Sequence, residues 1–293
     1  TSQYAAHPVG GILRKVTLYT LPQVNLSDFS WDVKFDKQYR DAVINFSGRI
    51  ILNSRIAKRS LVYLKCDIQD GNGQSTLPDE YTFNVPVSGT FSEVRGLLNV
   101  LAPKKWDPEH PNLYRLVVSL VIDGKTVQTN IHRTGFRQIE LRGNQMFVNG
   151  RPVKLRGVDR HEVHPLRGRS LTPELCRKDV ELFRAANCNY IRTSHYPPSE
   201  EFLEACDELG MFVESEASLC WIQHGASPVW QTWNYLDTQY LPYMVRANQD
   251  NVLAGRNHPC IIIWSLGNES RWSPLWERVL EEVKKLDTSR PTA

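Results

Sequence analysis

Residues 171–213, LTPELCRKDVELFRAANCNYIRTSHYPPSEEFLEACDELGMFV, carry the pattern that decides the fold. Thr172 suits a helix N-cap, Pro173 the first helical position, and Glu174 puts an acid in the first turn. Leu175, Val180, Phe183 and Ala186 share one helical face, and that helix is expected to end near Asn187. Tyr190–Thr193 reads as a strand. A second helix from about Ser199 carries Phe202, Leu203, Cys206 and Leu209 on one face, with Gly210 as its stop. Met211–Val213 is the next strand. Strand and helix alternate with short joins, which implies parallel strands linked by helical crossovers.

The same alternation extends both ways. Val153–Val158 reads as an apolar strand upstream, and a helix over Leu241–Leu253 leads to a strand at Ile261–Leu266. Trp272, Leu275, Trp276, Val279 and Val283 fall at helical spacing and predict a final helix. The stretch 138–293 thus holds four strand–helix units. A complete (β/α)8 barrel takes about 250 residues, so the expectation is the first half of a TIM barrel.

Before residue 138 the pattern is different. Trp31–Phe35, Ala42–Leu52, Leu61–Ile68, Tyr81–Val85, Phe91–Leu98 and Tyr114–Val121 are alternating or β-branched runs punctuated by Gly, Pro, Asn and Asp. Asp70–Gly73 reads as a loop, and Asp123-Gly124 as a two-residue hairpin turn. An immunoglobulin-like β-sandwich over 26–137 is expected. Residues 1–25, with a strand at Lys15–Tyr19 ending at Leu21-Pro22, read as the tail of a preceding β-sandwich domain.

Composition narrows the function. Of 293 residues, 41% are hydrophobic and 23% charged, which excludes a disordered or fibrous chain. No apolar run approaches the roughly 20 residues of a membrane span, so no membrane partner is expected. The 35 basic and 32 acidic residues are scattered, which argues against a nucleic-acid partner. The six cysteines have no CxxC spacing and read as buried free thiols. The chain starts at Thr1, and the compartment stays open.

Barrel active sites form at the C-terminal ends of the strands. Here all four strands run into polar segments: Asp159-Arg160-His161-Glu162, Arg192-Thr193-Ser194-His195-Tyr196, Glu214-Ser215-Glu216, and Asn268-Glu269-Ser270. Four such endings in register predict one pocket. A carboxyl beside an amide suits glycoside hydrolysis, in which one carboxyl protonates the leaving oxygen and a second attacks or activates water. A partly apolar site keeps such an acid protonated. Glu269 follows an apolar strand with Trp264 near it in sequence, and Asn268 can hydrogen-bond a sugar hydroxyl. His195, beside Arg192 and Tyr196, reads as a pocket residue, and so does His161. His161 and His164 at i, i+3 in a loop make a weak metal pattern, and His164 reads as structural. Glu214 and Glu216 are expected to be supporting acids paired with Arg160 or Arg192. Trp221, Trp230 and Trp233 serve either sugar stacking or the core.

These segments together resemble glycoside hydrolase family 2: Gly157–Glu162, Asn189–Pro197, and Asn268-Glu269 after Ile261–Gly267. Lys104-Lys105-Trp106, Pro111–Tyr114 and Gly135-Phe136-Arg137 are similar to the same family, most of all to its β-galactosidases. The resemblance implies a retaining exo-glycosidase acting on terminal β-D-galactosides, with a carbohydrate as its partner. Glu269 matches the general acid/base, and Asn268 the residue contacting the sugar 2-hydroxyl. His195 and His161 match pocket histidines, Arg192 an arginine supporting the catalytic carboxylates, and Asp159 and Tyr196 fall among the substrate-contacting positions. The nucleophile implied is a second Glu on a later strand. Glu277, Glu281 and Glu282 lie on the last helix and do not fit it, so the chain reads as an internal fragment with no nucleophile. Homo-oligomerisation stays open.

Three positions depart from the family pattern. Ile222, two residues before His224, stands where many β-galactosidases place a metal-binding Glu, so magnesium is not expected, nor any other cofactor. Gly255 replaces an acidic or polar residue, and Asp159 an Asn. A β-glucuronidase, β-mannosidase or arabinopyranosidase-like activity, or a non-catalytic carbohydrate-binding fragment, are the alternatives.

Overall fold

The computed structural model describes residues 12–52, 60–220 and 236–293. Seven strands come first: β1 (Asn25–Phe35), β2 (Ala42–Ile51), β3 (Val62–Gln69), β4 (Tyr81–Asn84), β5 (Phe91–Val100), β6 (Tyr114–Ile122) and β7 (Lys125–Thr134). They form two antiparallel sheets, ordered β1-β2-β5 and β4-β3-β6-β7. Period-two alternation drives the packing. Ile44, Phe46 and Ile50 of β2 are buried, as are Leu64, Cys66 and Ile68 of β3 and Leu116, Val118 and Leu120 of β6, and all join one core. The β6–β7 turn is Asp123-Gly124, with φ of 47° and 79°. Both angles are positive, as a type I′ hairpin requires.

A small antiparallel sheet of β8 (Ile139–Arg142), β9 (Gln145–Val148) and β10 (Arg151–Pro152) follows. The sequence reading gives no strand there. Its signals are the turn residues Gly143, Asn149 and Gly150, all at positive φ.

The second core belongs to a parallel sheet of β11 (Gly157–Arg160), β12 (Tyr190–Thr193), β13 (Phe212–Glu216) and β14 (Ile261–Ser265), paired in chain order. Helices α1 (Pro173–Ala185), α2 (Glu200–Leu209), α3 (Leu241–Gly255) and α4 (Leu275–Leu286) follow the strands in turn. The local signals act as expected. Thr172 Oγ1 accepts from the Leu175 amide, and Gly210 ends α2 in the left-handed region at φ 78°. All six cysteines are free, and four are buried.

Three expectations need correction. The first parallel strand lies at 157–160 and not at Val153–Val158, because Val153 and Leu155 pack partly against the second core from an irregular lead-in. Lys15–Tyr19 forms no strand; Val16, Leu18 and Tyr19 are exposed, and the segment is held by charge, through Arg14–Glu162 and Lys15–Glu201 contacts of 2.6 Å each. Trp272 precedes α4 and is 68% exposed, whereas Leu275, Trp276, Val279 and Val283 are buried as the spacing predicts.

Two arginines, one from the sandwich side and one after α4, hold the segment that leads into β14. Arg137 donates from Nε to the Pro259 carbonyl (2.8 Å) and from Nη2 to that of Ile261 (2.9 Å), and burial pushes its pKa down to about 9. Arg290 donates to the carbonyls of Ile261, Arg256 and His258. The start of β14 is thereby anchored at the end opposite Asn268.

Candidate active site

Register sets the site. Asp159 pairs with Arg192, Arg192 with Glu214, and Glu216 with Ser265, so these side chains share one face of the parallel sheet. The opposite face carries Arg160, Thr193 and Trp264 toward the helices. Arg160 pairs with Asp179 of α1 at 2.7 Å and lies 4.0 Å over the Phe202 ring of α2.

Glu216 is the hub. It has no exposed surface. Its Oε2 accepts from Arg192 Nε at 2.8 Å and Ser265 Oγ at 2.7 Å, and its Oε1 lies 2.6 Å from His195 Nδ1. Arg192 Nη2 also donates to Asn268 Oδ1 at 2.7 Å, and its Nη1 lies 3.4 Å from Asp159. Four strand ends are bound through one carboxylate and one guanidinium. Arg192, of the two partners expected for the acids, is the one used; Arg160 is committed to the helix side. Glu214 accepts from the Tyr190 hydroxyl, and burial raises the pKa of both groups.

Glu269 follows directly, exposed and at φ 41°. Non-glycine residues seldom occupy that region, and such strain gathers at functional sites. The expected apolar neighbour is elsewhere. Trp264 is buried on the helix face, its Nε1 donating to Asp287 Oδ2 at 2.8 Å. Strand alternation puts it on the far side of the sheet from Ser265 and Glu216.

The histidines meet at the first two strand ends. The His161 and His195 rings are 5.2 Å apart, edge to face. Desolvation, helped by His195 and Arg169, lowers the pKa of His161, which favours a neutral ring. Tyr196 is buried with its hydroxyl accepting from the Glu162 amide at 3.0 Å, and its ring lies 3.8 Å below Arg169. It braces the loop holding His161, and its hydroxyl is engaged by the Glu162 amide. His164 closes a tight turn through its ring nitrogen and Leu166 N.

Two neighbours escaped the sequence reading. Cys220 Sγ lies 3.4 Å from Asn268 Nδ2, and the Leu219 carbonyl accepts from the Asn268 amide at 2.9 Å. Arg14, far off in sequence, reaches Glu162 Oε2 at 2.6 Å and the Pro197 carbonyl at 3.1 Å. Neither pairing has a local signal, because each depends on the tertiary fold. Trp221, Ile222, His224, Trp230 and Trp233 lie outside the described residues.

The described residues around Glu269 do not suit magnesium. Asn268 Oδ1 is taken by Arg192, and burial pushes the Cys220 thiol up to about 11, leaving a soft neutral sulfur. A hard cation needs several oxygen ligands.

Comparison with known proteins gives the family. Residues 139–293 match the family described as glycosyl hydrolases family 2, TIM barrel domain, and residues 24–137 match glycosyl hydrolases family 2. A β-galactosidase of Vibrio vulnificus is 36% identical over 290 residues, covering 97% of this chain and 27% of its own length. A family 2 glycosyl hydrolase from Bacteroides cellulosilyticus superposes with a TM-score of 0.78 at 28% identity, over 92% of this chain and 34% of that one. A β-glucuronidase from Ruminococcus gnavus, 23% identical, shares the fold with a TM-score of 0.75, over 93% of this chain and 43% of that one. The chain spans about a quarter of the length of the curated β-galactosidases it matches. It belongs to glycosyl hydrolase family 2 and joins that family's sandwich domain to its TIM-barrel domain.

Proposed function

We propose that the chain supplies the acid/base half of a retaining exo-glycosidase for terminal β-D-galactosides. Its parallel sheet would be the first half of a barrel behind an immunoglobulin-like sandwich over 26–137, with 1–25 as the tail of a preceding domain. One observation carries the reading: the Glu216–Arg192–Asn268 chain of hydrogen bonds, which holds an amide next to a strand-end carboxyl. The relatives named β-galactosidase support the sugar.

The chemistry follows from the geometry. Arg192 offers only donors, so its bond to Oδ1 turns Asn268 Nδ2 to the other side, where an N–H can meet the sugar 2-hydroxyl. His195 is fixed through Nδ1 by Glu216, and it contacts the sugar together with His161 and Asp159. Glu269 protonates the departing glycosidic oxygen and then takes a proton from the water that releases the sugar. Glu277, Glu281 and Glu282 lie on α4, where Glu281 and Glu282 pair with Arg278 and Lys285 of the same helix. The nucleophile is therefore assigned to a carboxyl outside this chain.

The test replaces Glu269 by Gln in a protein that also carries the second carboxyl. Turnover of an unactivated disaccharide should fall about 10²–10⁴-fold, and that of an activated aryl galactoside less. An unchanged disaccharide rate would refute the assignment.

A further inference from the structure

We propose that Cys220 is a positioning residue that holds the Asn268 carboxamide in the orientation needed to receive a sugar hydroxyl; this rests on the sugar-pocket reading above. Asn268 is 4% exposed, and both ends of its amide are engaged. Arg192 Nη2 donates to Oδ1 at 2.7 Å, while Nδ2 donates to Cys220 Sγ at 3.4 Å. Torsion about the terminal bond of an Asn side chain is broad and roughly two-fold. Arg192 decides which way the amide faces, because a guanidinium cannot accept. The sulfur fixes the remaining rotation and leaves one N–H of Nδ2 for the substrate.

The backbone makes the pairing durable. Beyond the ends of β13 and β14 the two segments run parallel, with Cys220 bridged to Asn268 and the Asn268 amide donating to the Leu219 carbonyl at 2.9 Å. Burial pushes the Cys220 thiol up to about 11, so the sulfur accepts as a neutral group. Serine at this position would offer a comparable acceptor, whereas alanine and valine offer none.

The test uses the 293-residue chain with Cys220→Ser, Cys220→Ala and Cys220→Val, the valine keeping bulk in case alanine fails to fold. The first readout is hydrogen exchange of the Asn268 side-chain amide by NMR. It should quicken about tenfold in the alanine and valine variants and return to the native rate in the serine variant. The second is affinity for methyl β-D-galactopyranoside and for its 2-deoxy analogue. Alanine or valine should weaken the galactoside about tenfold, leave the 2-deoxy sugar unchanged, and be rescued by serine. A merely structural role would lower the melting temperature without altering the difference between the two sugars. Native exchange in both the alanine and valine variants overturns the proposal. So does equal weakening of both sugars. If Asn268→Ala leaves galactoside affinity intact, or the native chain ignores both sugars, the sugar-pocket reading falls and takes this inference with it.

Discussion

Glu216 Oε1 lies 2.6 Å from His195 Nδ1, and the same fully buried carboxylate holds Arg192 through its other oxygen. One acid therefore orients a histidine and an arginine drawn from a single strand end. Glu216→Ala should remove both bonds at once, and breaking a buried pair of this kind costs on the order of 3–5 kcal/mol. Glu216→Gln should be milder but still harmful, since one of its two polar ends becomes a donor facing other donors. Urea denaturation of the three proteins checks the order native, Gln, Ala; an alanine variant as stable as native would refute the hub.

A second buried pair makes stability depend on pH. His258 Nδ1 is 2.6 Å from Asp207 Oδ2, and the pair lies where the Trp106 indole of the sandwich donates to the Asp207 carbonyl. Desolvation lowers the pKa of His258, but the charge and hydrogen bond of Asp207 outweigh it and leave it raised above 6.5. A raised histidine contributes its full stability below the unfolded value, about 6.5, and loses it as pH climbs through the folded value. Unfolding midpoints measured from pH 6 to 9 should fall in the native chain and fall less in His258→Asn. Parallel curves for the two proteins would show that the pair contributes nothing to the slope.

Glycine at position 255 has a steric reason. A Cβ there would sit 2.6 Å from Ile261 Cδ1 and 3.1 Å from the Trp264 ring. Gly255 is the last residue of α3, where alanine gains less than the roughly 1 kcal/mol that it gains over glycine in a helix interior. Overpacking a core costs about 1–3 kcal/mol, so Gly255→Ala should be neutral to destabilising and Gly255→Asp clearly destabilising. A thermal melt of Gly255→Asp at or above the native temperature would contradict the packing argument.

The strand–helix order was legible because each helix carries its own punctuation. Thr172, Pro173 and Gly210 act locally, and local chemistry can be read from a line of residues. The polar strand ends were legible too, and they meet through Arg192 and Glu216. What stayed hidden depends on direction. Trp264 is close to Glu269 in sequence, yet strand alternation turns its indole to the helix layer. Trp272 keeps helical spacing with Trp276 but falls before the helix begins. Lys15–Tyr19 looks like a strand by β-branched content, yet none of its described residues joins a sheet, and its neighbour Arg14 instead finds Glu162. Cys220 gave no signal at all, since its partner lies 48 residues away on another strand end.

Magnesium provides a simple check on the site's character. With Asn268 Oδ1 engaged and a neutral sulfur at Cys220, the described side chains cannot build the oxygen shell that a hard cation needs. Calorimetric titration with magnesium chloride should show no micromolar site, and sugar binding should be unchanged by EDTA. Micromolar binding that is lost in Glu269→Gln would overturn this.

The last expectation concerns the chain by itself. A retaining mechanism needs two carboxyl groups about 5–5.5 Å apart across the sugar. Glu216 is saturated by Arg192, Ser265 and His195, and Glu214 accepts from Tyr190. Neither is free to attack an anomeric carbon, and the α4 acids lie on a helix and not at a strand end. The 293-residue chain should therefore bind a β-galactoside without hydrolysing it. The parallel sheet also has an unpaired edge at β11 among the described residues, whereas residues 291–293 pair along the outer side of β14, and an open edge invites association. Incubation with an aryl β-galactoside, against an Asn268/Glu269 double variant as control, reads the first point, and sedimentation across a concentration series reads the second. Turnover above the control would mean that one of these carboxyls is the nucleophile after all, and a monomer at every concentration would remove the open-edge argument.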